Sequence, residues 1–175
     1  MPIIRNGEIV VDDWATIEAE RLPLGRPLLV TLAQWQSLGR SLRHWDQPLG
    51  LILKGDDSLE ALRGELHRFQ LIALDFPAFT DGRAYSQARL LRRRYGFAGE
   101  LRAVGAVQQD QFLQMHRCGF DSYALVDAAA ASAWLSSVQH YDGFYQPAER
   151  GAAGNRPALP PAPVVEQPAA AAWAY

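Results

Sequence analysis

Five short apolar runs punctuate this chain at near-regular intervals, and they constrain its fold more than any other feature. They are Leu28-Leu29-Val30, Leu49 to Leu53, Leu71 to Leu74, Leu101 to Val104 and Tyr123 to Val126. Helical stripes lie between them. Trp35, Leu38 and Leu42 form one, opened by the capping-box pattern Thr31-x-x-Gln34. Leu59, Leu62, Leu66 and Phe69 form a second, and Ala84, Ala88, Leu91 and Tyr95 a third, each at the spacing of one helix face. A last helix is expected after Asp127, carrying Trp134, Leu135 and Val138. Two helix ends repeat each other, Tyr95-Gly96-Phe97 and Cys118-Gly119-Phe120. In each, Gly suits the left-handed position after the helix and Phe packs back on the last turn. Strand starts near 49, 71, 100 and 122 therefore mark repeated βα units, and such units build a parallel sheet with right-handed crossovers. The fold class is α/β. About five units fit, whereas a complete eight-unit barrel needs roughly 200 residues or more. The sheet is then either partial-barrel-like or open and doubly wound. An unclosed partial barrel leaves edges and an apolar face uncovered, which a homodimer would cover.

The ends of the chain read differently. Ile3-Ile4 and Ile9-Val10-Val11 flank Asn6-Gly7, the signature of a two-residue hairpin turn. With Trp14 and Ile17 as a covering segment, residues 1–20 form an N-terminal β-hairpin and cover. Residues 146–175 hold 10 Ala and 6 Pro, a composition that buries too little apolar surface to offset its ordering entropy. The expectation is one α/β domain over 1–146 and a disordered Pro/Ala-rich tail over 147–175.

Composition removes several function classes. One Cys, Cys118, cannot build a disulfide framework, a zinc ribbon or an iron–sulfur cluster within the chain. His44, His67, His116 and His140 lack metal-ligand spacing, so no metal site is expected. A net charge of −2 argues against a general nucleic-acid binder or a polybasic membrane protein. No apolar run approaches the roughly 20 residues of a membrane span, and Met1 to Gly7 carries no signal-peptide pattern. A cytoplasmic protein is expected. No G-x-G-x-x-G follows a strand, so no cofactor is predicted, although a non-covalent flavin needs no such motif and stays open.

In open parallel sheets ligands bind beyond the carboxyl ends of the strands. Those ends carry Lys54, Asp75 and Gly105. Asp75 ends a hydrophobic strand and is the best candidate for a catalytic carboxylate. Thr80-Asp81-Gly82-Arg83 opens the third stripe, where backbone N–H groups, the helix dipole and a guanidinium favour an anion. The anion-binding candidates are Lys54, Thr80, Asp81, Gly82, Arg83 and Arg102. The plainer alternative has Thr80 or Asp81 capping the helix and Arg83 paired with Asp75. Arg102 interrupts an apolar strand and needs a carboxylate partner, Asp75 or Glu100. Residues 83–102 hold six Arg and one Glu. Arg89 and Arg93 lie opposite the apolar stripe and Arg92 and Arg94 flank it, as on a solvated helix face. Docking to an acidic protein partner is the alternative use of that face.

Three stretches carry a resemblance: Asp75 to Arg92 (DFPAFTDGRAYSQARLLR), Gly99 to Gly105 and Arg117-Cys118-Gly119-Phe120-Asp121. Through them, over roughly residues 1–146, the chain resembles a bacterial family of unknown function that is labelled an oxidoreductase of sulfite reduction. Its members are typically encoded beside the sulfite reductase hemoprotein. The pattern has an acidic residue directly after Gly105, where this chain has Ala106. The resemblance implies a role in sulfur assimilation, with the hemoprotein as partner. Two functions follow as expectations. One is a non-catalytic accessory protein of assimilatory sulfite reduction. The other is a small enzyme or anion-binding protein working at the edge around Asp75, Asp81 and Arg83.

Overall fold

The computed structural model describes residues 2–5, 7–17, 25–42, 44–125, 131, 133 and 134. Most of the expected last helix and the whole tail over 147–175 lie outside them. Eight strands form one sheet: β1 (Pro2–Arg5), β2 (Glu8–Val11), β3 (Ala15–Thr16), β4 (Leu28–Thr31), β5 (Leu49–Leu53), β6 (Phe69–Phe76), β7 (Glu100–Gly105) and β8 (Ser122–Ala124). Among the described residues the helices α1 (Leu32–Leu42), α2 (Arg83–Arg93) and α3 (Phe112–Arg117) join them, and Ala131, Ala133 and Trp134 are helical as well.

The sheet order is β2-β1-β8-β7-β6-β5-β4-β3. From β3 to β8 all pairs are parallel and stay in chain order. A doubly wound sheet reverses its strand order at a switch point. The parallel strands have no reversal, so the winding is that of a partial barrel. The two edge strands show how far the sheet curls. Val11 ends β2 and Ala15 begins β3, so four Cα steps, at most about 15 Å, separate opposite edges of the sheet. Laid flat, eight strands would hold those edges about 34 Å apart.

Curling gives the sheet unequal faces. The outer face packs against α1, α2 and α3, and Phe76, Leu51, Leu53, Leu62, Ile72 and Leu74 there lose all or nearly all contact with solvent. Each such side chain stabilises the fold by about 1.5–3 kcal/mol. The inner face carries a smaller cluster, Leu29, Leu71 and Ala73, with Trp14, Ile52 and Val104 partly buried around it. The crossing residues 12–14 bring Trp14 onto this face. A Cβ on Gly50 would lie 2.8 Å from Leu29 Cδ1 and 2.9 Å from Trp14 Cζ3, so a glycine in β5 makes room for the indole.

Several expectations hold and several change. Arg5 pairs with Glu8 across a two-residue loop, as Asn6-Gly7 predicts. The hairpin is not merely prefixed to the domain, because β1 also pairs antiparallel with β8 and makes itself part of the sheet. The capping box is present: Gln34 N–H donates to Thr31 Oγ1 at 3.2 Å and Thr31 N–H to Gln34 Oε1 at 2.9 Å. Gly96 (φ 63°) and Gly119 (φ 99°) occupy the left-handed position, and Phe120 N–H bonds Met115 O at 3.3 Å. The stripe of Leu59, Leu62, Leu66 and Phe69 is not a helix. Glu60–Leu62 and Leu66–Arg68 are separate 3₁₀ turns, and Phe69 begins β6. Gly64 falls between the two turns, and all four apolar side chains reach the core without a continuous helix.

Candidate functional site

The carboxyl ends of β4 to β7 and the loops after them form one rim. On it the structure brings Asp81 and Arg83 together. Gly82 is the N-cap of α2 and no side chain caps it in the usual way. Asp81 Oδ1 instead accepts the Arg83 backbone N–H at 3.1 Å and Arg83 Nε at 3.0 Å, and Oδ2 accepts Nη2 at 2.6 Å. Those hydrogen bonds hold the Asp81 carboxyl at about 2, well below its ordinary value. Asp81 thus takes the position at the start of α2 that an outside anion would take. Arg83 is not paired with Asp75. Its guanidinium lies on Gly55, where a Cβ would come within 2.7 Å of Nε. Thr80 is exposed in the preceding turn.

Asp75 sits on the other side of the sheet, in the row of Leu71 and Ala73 on β6, and Lys54 follows the neighbouring strand β5. Along β5, Leu51 and Leu53 face the helices and Ile52 faces inward; Lys54 is the first residue after the strand and is exposed. The register Leu53↔Leu74 extends to place Lys54 beside Asp75, which pairs with Val104. The Lys54 backbone is pinned: its N–H donates to Asp57 Oδ2 at 2.8 Å and its carbonyl accepts from the buried Gln87 Nε2 at 2.8 Å. Asp75 is half-buried. Among the described residues, neither its carboxylate nor the Lys54 ammonium meets a hydrogen-bond or ion-pair partner.

Arg102 is buried on the same inner face but turns away from Asp75. Nη2 and Nε reach Glu100 Oε1 at 2.8 and 3.0 Å, and Nη1 reaches Asp12 Oδ1 at 2.9 Å. Ser122 Oγ donates to Glu100 Oε1 at 2.5 Å, and Arg5 lies 3.4 Å from Oε2. Burial by itself raises the Glu100 carboxyl, but the Ser122 hydroxyl and the two guanidinium groups outweigh it and leave it below its ordinary range. Glu100 was one of the two expected partners. Asp12 was not, because only the curl of the sheet carries it there.

Arg92 overturns the picture of a helix face that is solvated at every arginine. Its side chain is 2% exposed. It donates to Phe97 O (2.7 Å), Gly99 O (2.8 Å), Gly119 O (3.0 Å) and Asp121 Oδ2 (2.5 Å). One guanidinium so clamps both repeated Gly-Phe helix ends. Asp121 Oδ2 also accepts Leu101 N–H at 2.8 Å, and burial pushes the Asp121 carboxyl up. The stretch Arg117 to Asp121 therefore has a structural account. Cys118 is buried. His116 stacks on Phe112, and burial lowers its imidazole. Among the described residues no group of three or more His, Cys, Asp or Glu could hold a metal ion, and no helix is long and apolar enough to cross a membrane.

A family model of bacterial proteins of unknown function, DUF934, matches residues 50–156, more than half of the chain. The chain belongs to the DUF934 family. No curated protein matches it. The DUF934 match includes Lys54, Asp75, Asp81, Arg83 and the Arg92 clamp, and leaves β1 to β4 before it.

Proposed function

We propose that this DUF934 protein is a cytoplasmic accessory factor of assimilatory sulfite reduction that works by binding a protein partner. The resemblance through Asp75 to Arg92 supplies the pathway and names the sulfite reductase hemoprotein as the partner. The observation that carries the binding role is the outer surface of α2. Arg83, Ser86, Arg89, Leu90 and Arg93 are exposed there. Leu90 is 42% exposed, and Phe79 in the turn before the helix is 47% exposed. No carboxylate occurs between Gly82 and Gly99. A basic face around an apolar side chain is suited to an acidic protein surface, which it would steer and orient. A deletion strain tests the pathway: growth should fail on sulfate or sulfite and recover on cysteine. Equal growth on all three overturns it. Co-purification with the hemoprotein tests the partner, and Arg89→Glu with Arg93→Glu should abolish it.

A second reading, an anion-binding protein or small enzyme at the strand-carboxyl rim, is favoured by the unpartnered Asp75 carboxylate. At the start of α2 an incoming anion must displace Asp81 from Arg83. A ligand or flavin held on the inner face would favour this reading over the first.

A further inference from the structure

The chain contains 16 Arg and a single Lys. Wherever the fold needs a cation to clamp carbonyls or carboxylates, as at Arg92 and Arg102, it uses the planar guanidinium fork. Lys54, the single lysine, clamps nothing among the described residues. An ammonium is a compact point charge on a flexible stem, suited to meeting a small group whose position the protein does not fix in advance. Lys54 is exposed and directly follows β5, the strand next to the one that carries Asp75.

Asp75 is equally set apart. Gly105 (φ 89°) on the adjoining strand leaves it room: a Cβ there would lie 2.7 Å from Asp75 Oδ1 and 2.5 Å from Phe76 O. Val104, partly buried, is the partner of Asp75 on β7, and Ile52 lies on the same inner face of β5. Three other acids of this rim are engaged elsewhere. Asp57 accepts the Lys54 backbone N–H, Asp81 holds Arg83, and Asp56 contributes its charge to Arg83.

We propose that Lys54 and Asp75 form a binding site for a small oxyanion that still carries a proton, the class that includes dihydrogen phosphate and hydrogen sulfite. The ammonium donates to the charged oxygen, and the carboxylate accepts the hydrogen bond of the ligand's own O–H. A fully ionised anion such as sulfate has no proton to give and meets the negative charge of Asp75 instead. The site is separate from the Arg83–Asp81 pair. The proposal rests on the second reading above and names its ligand class.

Because the chain has one lysine, isotope-labelled lysine gives one side-chain signal in solution. The full-length protein is titrated with inorganic phosphate, sulfite and sulfate in mildly acidic buffer, where the first two are singly protonated. Phosphate and sulfite should shift the Lys54 signal to saturation, at least about tenfold more tightly than sulfate, the scale of one hydrogen bond to a charged group. Asp75→Asn should fold normally, since the carboxylate makes no bond, and should lose the preference. Three results overturn the proposal: no saturable shift at millimolar phosphate or sulfite, equal binding of sulfate, or an unchanged preference in Asp75→Asn. Anion binding seen by calorimetry with a silent Lys54 signal also overturns it, yet leaves the second reading standing at Arg83.

Discussion

Arg92 shows how much one side chain can hold. Its guanidinium has no water to fall back on, and four acceptors from two segments converge on it. Truncation leaves three carbonyls without their donor and the partly exposed Asp121 without its cation. Arg92→Ala should cost about 2–4 kcal/mol, since each stranded acceptor costs roughly 1–3 kcal/mol while water screens the exposed side of Asp121. Arg92→Lys should recover little, because an ammonium cannot span that fork. Urea unfolding measures both, and a loss of less than about 1 kcal/mol in the alanine variant would show the clamp to be dispensable. Glu100 and Asp81 set the acid response. Both carboxyls are depressed in the folded protein. The stability they contribute is present above their ordinary values of 4.5 and 3.8 and is lost as pH falls through their folded values, about 2 for Asp81. Glu100→Gln should therefore flatten the acid limb of a plot of unfolding midpoint against pH. An unchanged limb would remove Glu100 from the acid response.

At the scale of elements, β6 and β7 meet so closely at their carboxyl ends that only glycine fits at 105. Gly105 holds φ 89°, and Ala106 N–H donates back to Phe76 O at 2.7 Å. Gly105→Ala combines a strained backbone with a contact on that carbonyl and should cost about 1–3 kcal/mol or more. Denaturant midpoints at constant slope check it. A neutral result would mean that the strand end relaxes without loss. The helices are positioned by their ends as much as by their faces. Thr31 and Gln34 start α1, Asp81 serves the start of α2, and Gly96 and Gly119 stop α2 and α3.

For the whole molecule, the curl of the sheet joins residues far apart in the chain. Asp12 reaches Arg102, and β1 closes onto β8. The DUF934 match begins at residue 50, after half of the strands. A fragment spanning 50–156 would leave the β5 and β8 edges open and bury Arg102 without Asp12. It should fail to give a soluble monomer with cooperative unfolding. Gel filtration and circular dichroism test this, and a well-folded fragment would show that the first four strands are a cover rather than part of the fold.

Local chemistry was readable from the residues. The turn at Asn6-Gly7, the capping box of α1, the glycine stops and the parallel character of the βα units all depend on neighbours within a few positions, or on the direction a crossover must take. Periodicity failed at 59–69, because 3₁₀ turns and a strand start can bury the same leucines that a helix would. It also failed at Arg92, since the edge of an apolar stripe looks alike whether solvent or four acceptors lie beyond it. Asp12 against Arg102 could not be read along the chain at all. That pairing depends on strand register and on the curl of the sheet, and both are set by packing between residues tens of positions apart.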